Sequence, residues 1–154
     1  MITEIYGDIL KEPSSTWIVV PINCYGIAGA GLAKQWKERC PEAYEQYRLL
    51  CNDDALKPGG TWWITTDEGR FILAATKGHW KPPSKIEWIE SILEDLADKL
   101  VLTEDPISIA VPPLGCGLGG LDWDQVQNLI YYWLADHAGG DRIDRHTIII
   151  YPPQ

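Results

Sequence analysis

The chain has no apolar run near the roughly 20 residues needed to span a bilayer. Its N-terminus, MITEIYGDIL, lacks the basic-then-apolar layout of a secretory leader. These absences point to a cytoplasmic protein with no membrane partner. There is no C-x-x-C pair either. Cys24, Cys40, Cys51 and Cys116 stand apart, which argues against a zinc site and, in a reducing compartment, for four free thiols. Basic residues are in deficit, 13 Lys and Arg against 22 Asp and Glu, for a formal net charge of −9. That balance speaks against a nucleic-acid interface spread over the whole surface, but it leaves room for a local basic rim. No internal repeat, low-complexity tract or long linker interrupts the chain.

What remains is an ordinary globular composition, 45% hydrophobic and 23% charged over 154 residues, the length of one domain. The eight tryptophans are expected mostly in core or edge packing. Strand and helix patterns alternate from end to end. Residues 2–6 read as a short strand. Trp17–Ile22 is a continuous apolar run that suits a strand covered on both faces, with Pro21 expected near its end. Gly31–Arg39 and Pro41–Cys51 read as helices. TWWITT and FILAAT flank Asp67-Glu68-Gly69-Arg70 as a hairpin.

Ser84 and Glu87 form a capping box ahead of the stripe Ile86, Ile89, Leu93, Leu96 and Leu100. Residues 107–111 read as a buried strand. Asp122 and Gln125 form a second capping box, and Thr147–Ile150 closes as a strand. Alternating elements of this kind imply a layered α/β domain whose ligands sit beyond the carboxyl ends of the strands. The loops after Ile22, Thr76 and Val111 are therefore the places to look for chemistry.

Two of these loops follow one pattern. Asn23-Cys24-Tyr25-Gly26-Ile27-Ala28-Gly29-Ala30-Gly31 runs from a buried strand into a helix. Pro112-Pro113-Leu114-Gly115-Cys116-Gly117-Leu118-Gly119-Gly120 does the same ahead of Asp122. Glycines allow close backbone approach, and a helix start offers free N–H groups that suit a phosphate. Either loop alone reads equally as a tight strand-to-helix turn. Together they suit a diphosphate gripped from both sides. The second loop lacks the Lys-Ser/Thr pair of a nucleoside-triphosphate site. Thr76-Lys77-Gly78-His79-Trp80-Lys81 offers a nucleophile, acid or base at a strand exit, although a solvated basic loop is its simpler reading. His137 and His146 show no partner pattern and read as structural.

In order along the chain, Gly7-Asp8-Ile9, the Asn23 glycine loop and the Gly115–Gly119 loop resemble the macro domain family. The likeness extends over residues 1–154, read as one domain. It is nearest to the branch of DarG-type DNA-directed ADP-ribosyl hydrolases and terminal ADP-ribose protein glycohydrolases. The resemblance implies a three-layer α/β/α fold with a mixed, mostly parallel central sheet.

It also implies roles. Asp8 and Ile9 would meet adenine, with Tyr151 packing nearby. Asn23 would hold the distal ribose. Gly29, Ala30, Gly31 and Leu32, with Gly115, Cys116, Gly117, Leu118 and Gly119, would cradle the diphosphate. Lys77 would be catalytic alongside Asn23, and His79 and Trp80 are candidate substrate contacts. No metal or cofactor is implied. The ligand is ADP-ribose, and the favoured substrate is ADP-ribosylated single-stranded DNA, hydrolysed at a thymine base by a monomer.

The protein-directed pattern has an aspartate where this chain has Gly119, which weakens that reading. Rivals are hydrolysis of protein-linked ADP-ribose, removal of phosphate from ADP-ribose 1″-phosphate, and ADP-ribose binding without turnover. The further toxin-restraining domain of some relatives is not expected within this chain.

Overall fold

The computed structural model describes residues 1–136 and 140–154, so His137 lies outside the described residues. Six strands form one sheet: β1 (Ile2–Glu4), β2 (Trp17–Asn23), β3 (Thr61–Thr66), β4 (Gly69–Lys77), β5 (Ser108–Val111) and β6 (Thr147–Ile150). Their spatial order is β1-β6-β5-β2-β4-β3. Every neighbouring pair is parallel except β3 and β4, which form the antiparallel hairpin expected around Asp67-Glu68. The helices are α1 (Gly31–Arg39), α2 (Pro41–Asn52), α3 (Ile86–Leu102), α4 (Trp123–Tyr131) and the short α5 (Gly140–Ile143). A 3-10 turn, Ile9–Lys11, follows β1, and a π-helical turn, Tyr132–Asp136, extends α4; neither has a clear sequence signal.

Alternation along the strands builds two cores. On one face Val19, Ile72, Ile109 and Ile148 meet the apolar stripe of α3 and Val126 and Ile130 of α4. On the other, Ile18, Val20, Phe71 and Leu73 meet Trp36 of α1 and Ala43 and Tyr47 of α2. Helices on both faces of a mixed, mostly parallel sheet give a three-layer α/β/α domain. Burial at roughly 25 cal/mol per Å² of apolar surface is what holds such layers together. Among the described residues no helix is long and apolar enough to cross a membrane.

Local chemistry departs from expectation at two points. Pro21 lies inside β2, not at its end. β2 pairs with β5 only at Trp17 and Ile18, so beyond them it has β4 alone beside it. A proline costs a ladder bond only where a neighbour is present. Ser84 is not a cap either. The N-cap of α3 is Lys85, with no side-chain cap bond, and Ser84 instead donates its backbone N–H to Gly119 O at 3.1 Å. At α4, Asp122 does cap, accepting from Gln125 N at 3.3 Å.

Of the eight tryptophans only Trp36 is fully buried; Trp62 and Trp80 are exposed and the rest are half-buried. His146 is buried. It accepts from Ile107 N through Nδ1 at 3.1 Å and meets Leu100 O through Nε2 at 2.8 Å, tying β5 to the end of α3.

Candidate functional site

β2 and β5 are neighbours whose following helices cover opposite faces of the sheet, and their ladder ends early. An open crevice at the carboxyl ends of diverging strands is the standard ligand site of α/β sheets. A cavity of about 570 Å³ occupies it. That is within the roughly 300–1,000 Å³ typical of small-molecule sites. The loops around Gly29 and Gly117 both line it, together with Asn23, Lys77 and Trp80.

The first loop is organised by Asn23, which is buried at the end of β2. Its Oδ1 accepts from Tyr25 N (2.9 Å), Ile27 N (3.3 Å) and the Tyr47 hydroxyl (2.9 Å), while Nδ2 donates to Ile27 O (2.7 Å). One hydrogen of the amide is left for a ligand. The loop then delivers α1 uncapped. Ala30 makes no side-chain cap bond, and the first helical bond is Lys34 N to Ala30 O at 3.2 Å. Among the described residues the N–H groups of Gly31, Leu32 and Ala33 therefore have no protein partner, and all three residues line the cavity. Gly31 has φ of 57°, a left-handed geometry that glycine adopts without strain.

The second loop is folded by its own backbone. Cys116 N donates to Pro113 O, Gly120 N to Gly117 O and Leu121 N to Gly115 O, at 2.9–3.1 Å. The N–H groups of Gly117, Leu118 and Gly119 are left without a protein partner among the described residues, again on the cavity wall. Two loop positions exclude a side chain. At Gly115, with φ of 73°, a Cβ would meet Leu121 at 2.7 Å. At Gly119 a Cβ would lie 2.4 Å from Gly115 O and 2.7 Å from Ser84 Oγ. Ser84 Oγ is itself buried with no hydrogen-bond partner among the described residues.

Lys77 closes β4. The register slips between Ile22 and Asn23, so that Ile22 faces Ala75, Asn23 faces Lys77, and Thr76 is the extra residue. Such bulges re-aim side chains next to sites. Here the slip sets Asn23 and Lys77 side by side. Lys77 Nζ donates to Trp80 O at 3.2 Å and Leu118 O at 3.4 Å, bridging two loops across the cavity mouth. No carboxylate pairs with it among the described residues. His79 stacks on Trp80, with centroids 5.5 Å apart.

Among the described residues the arrangement has no acid poised beside the lysine and offers six free backbone amides, three from each loop. Its chemistry is therefore anion binding plus one positive charge at the mouth. Among the described residues no three His, Cys, Asp or Glu side chains gather to hold a metal ion.

A family model described as Macro domain matches residues 19–130. The chain belongs to the macro domain family. It is 33% identical to the "DNA ADP-ribosyl glycohydrolase" of Mycobacterium tuberculosis over 157 residues, which is 99% of this chain and 42% of that protein. The chain thus spans about two fifths of the length of the curated relatives it matches. The solved macrodomain of Mycobacterium tuberculosis DarG superposes with a TM-score of 0.87 at 33% identity, covering 100% of this chain and 99% of that one. Thermosipho africanus DarTG, solved in complex with ADP-ribose, superposes at 0.80 with 29% identity, covering 99% of this chain and 41% of that one.

The macro domain cavity gathers most of the residues singled out by sequence: Asn23, Gly29–Leu32, Lys77, Trp80, Gly115 and Gly117–Gly119. Five others lie off its wall. Asp8 caps the 3-10 turn through Leu10 N and holds Arg39 at 2.7 Å; that guanidinium keeps its carboxyl below the usual range. Ile9 is buried in the core under α1 and α2. Tyr151 donates to Glu12 at 3.0 Å, and burial, with Glu12 beside it, pushes its phenol up to about 12. Cys116 is half-buried with its thiol toward Leu114 O, and burial pushes it up to about 11. His79 stands on the rim. All four cysteines are free. Thr76, Ser84 and the Pro112-Pro113 pair line the cavity although the sequence gives them no individual binding role, and Tyr47 supports it from below.

Proposed function

We propose that this macro domain binds ADP-ribose in the cavity and hydrolyses the bond between its distal ribose C1″ and an acceptor, with thymine in single-stranded DNA the favoured acceptor. The observation that carries this is the pair of free amide sets, 31–33 and 117–119, on opposite loops of one cavity. They suit a diphosphate between two sugars. The glycohydrolase activity of the 33%-identical mycobacterial protein and the ADP-ribose of the Thermosipho complex support the ligand and the reaction.

In this reading Asn23 offers its remaining N–H to the distal ribose, and Gly29–Leu32 and Gly115–Gly119 hold the diphosphate. Asp8, Ile9 and Tyr151 take the adenine end beyond the cavity wall. Water adds to C1″ as the C1″–N bond breaks, and the base leaves with the proton.

Lys77 has two chemical options. Neutral, it could attack C1″ and form an adduct. Charged, it could stabilise the negative charge developing on the departing base. An ammonium has three donors. Two already meet the carbonyls of Trp80 and Leu118, which leaves one for the leaving group and favours the charged role.

The test compares product release from ADP-ribosylated single-stranded DNA, ADP-ribosylated protein and ADP-ribose 1″-phosphate. The DNA substrate is expected to turn over at least a hundredfold faster than the others. Lys77→Ala is expected to lose about a hundredfold or more in rate while still binding ADP-ribose, and borohydride to trap nothing on Lys77. Tight ADP-ribose binding with no product from any of the three would replace this proposal with a reader.

A further inference from the structure

The rim of the cavity carries a second feature that ADP-ribose binding does not need. Tyr25 and His79 meet edge to face with centroids 4.6 Å apart, and His79 stacks on Trp80. Two of these rings lie open to solvent: Tyr25 is 60% and Trp80 47% exposed. The three come from two different loops, joined by Cys24 N to Gly78 O at 2.9 Å. Local bonds also hold two of them in place. The Tyr25 backbone is fixed by Asn23, whose Oδ1 takes the Tyr25 N–H. His79 Nδ1 accepts from Lys81 N at 3.0 Å, which sets the face it turns to Trp80. Exposed aromatic rings have few side-chain torsions to order, so they lose little entropy on meeting a partner.

The segment that carries His79 and Trp80 has a charge opposite in sign to that of the chain. From Arg70 to Lys85 there is no Asp or Glu, although the whole protein carries −9. Among the described residues none of Lys77, Lys81 and Lys85 sits in an ion pair. Lys81 lies 6.0 Å from the Trp80 ring centre and Lys85 5.1 Å from that of Trp88. The partner that fits is therefore flat and anionic. Unpaired nucleobases stack on aromatic rings whatever their sequence, and their phosphates take lysines. An acidic peptide would satisfy the lysines but gives the rings no flat face.

We propose that Tyr25, His79 and Trp80 form a stacking rim for the bases that flank the modified nucleotide, with Lys81 and Lys85 on the phosphates of that single strand. This rests on the reading of the cavity as an ADP-ribosyl hydrolase site, and it adds a reason for selecting a strand over a lone nucleoside.

The experiment uses three substrates: ADP-ribosyl thymidine, the same unit centred in a pentanucleotide, and an ADP-ribosylated acidic pentapeptide. Hydrolysis and direct binding are measured for the wild type, Tyr25→Ala and the double variant Lys81→Gln, Lys85→Gln. The wild type is expected to show a KM about tenfold lower for the pentanucleotide than for the nucleoside, the size of one stacked base. Tyr25→Ala is expected to remove most of that preference and leave nucleoside hydrolysis and ADP-ribose affinity within twofold. The double lysine variant is expected to flatten the salt dependence of pentanucleotide binding by about 1.4 in log–log slope, from about 0.7 for each single-strand phosphate.

Equal KM for nucleoside and pentanucleotide, a preference untouched by Tyr25→Ala, or peptide binding equal to the pentanucleotide's would each overturn the rim. No hydrolysis of any substrate, with the pentanucleotide still bound tightest in a Tyr25-dependent way, would sink the hydrolase reading and keep the rim.

Discussion

The loop after β2 is held by a side chain and the loop after β5 by its own backbone. In the first, Asn23 gathers two backbone N–H groups and the Tyr47 hydroxyl on one oxygen, and Tyr44 adds a bond to Gly26 O at 2.9 Å. In the second, three turn bonds and the Ser84 N–H fix the path, and glycine is dictated at 119 by lack of space and at 115 by a positive φ. Both end in the same product, three amides open to the cavity. The difference teaches that one function can be specified by a hub residue or by excluded volume, and that the two should fail differently.

The largest expected effect is at the hub. Asn23→Ala strands Tyr25 N, Ile27 N and Ile27 O around a buried site, while the Tyr47 hydroxyl keeps the Asn23 backbone carbonyl at 2.8 Å. An unsatisfied buried polar group costs about 1–3 kcal/mol, and some of these groups will relax toward water in the cavity, so a net loss of about 3 kcal/mol is expected in urea unfolding. Affinity for ADP-ribose should fall with it. Asn23→Asp keeps the accepting oxygen and should recover part of the stability. If the Ala and Asp variants are equally destabilised, the oxygen is not the hub and the contrast between the loops is wrong.

In the second loop the obstacle to a side chain is the first carbon. Gly119→Ala and Gly119→Asp should therefore cost the same, about 2 kcal/mol of stability, as for other forced overpacking. Both should lose at least tenfold in ADP-ribose affinity by calorimetry, because Gly115 O must move to admit a Cβ. An aspartate that binds and turns over substrate normally would show that the loop has slack that its contacts deny.

These two loops also mark how far the sequence could be read. Glycine runs between a buried strand and a helix are visible because backbone chemistry is local: strand, turn and helix start are all written in adjacent residues. The gathering of Asn23, Lys77 and both loops on one cavity follows from strand order, which alternation and right-handed crossovers constrain. What escaped depends on distant pairings. The Thr76 bulge is set by register between β2 and β4, and Tyr47 reaches Asn23 from an inward position on α2 that a helical stripe marks only as buried. Only the resemblance points to Asp8, Ile9 and Tyr151, whose side chains meet Arg39, the core and Glu12 away from the cavity wall.

Ser84 is the instructive misreading, and it carries the smallest prediction. Ser-x-x-Glu ahead of an apolar stripe is the signature of a capping box, yet Gly119 O draws the Ser84 N–H into the second loop and moves the cap position on to Lys85. The hydroxyl, turned inward, lies beneath Gly119 with its oxygen buried and unbonded. A group in that state costs free energy and contributes nothing local in return. Ser84→Ala keeps the backbone bond, removes the unmet hydroxyl and leaves a space smaller than a water molecule. It is expected to be neutral or to stabilise by up to about 1 kcal/mol, read as unchanged or raised Tm, with ADP-ribose affinity within twofold. A loss above 1 kcal/mol would mean that the hydroxyl has a partner in solution. The second loop would then be held by a side chain as the first is, and the distinction drawn between them would dissolve.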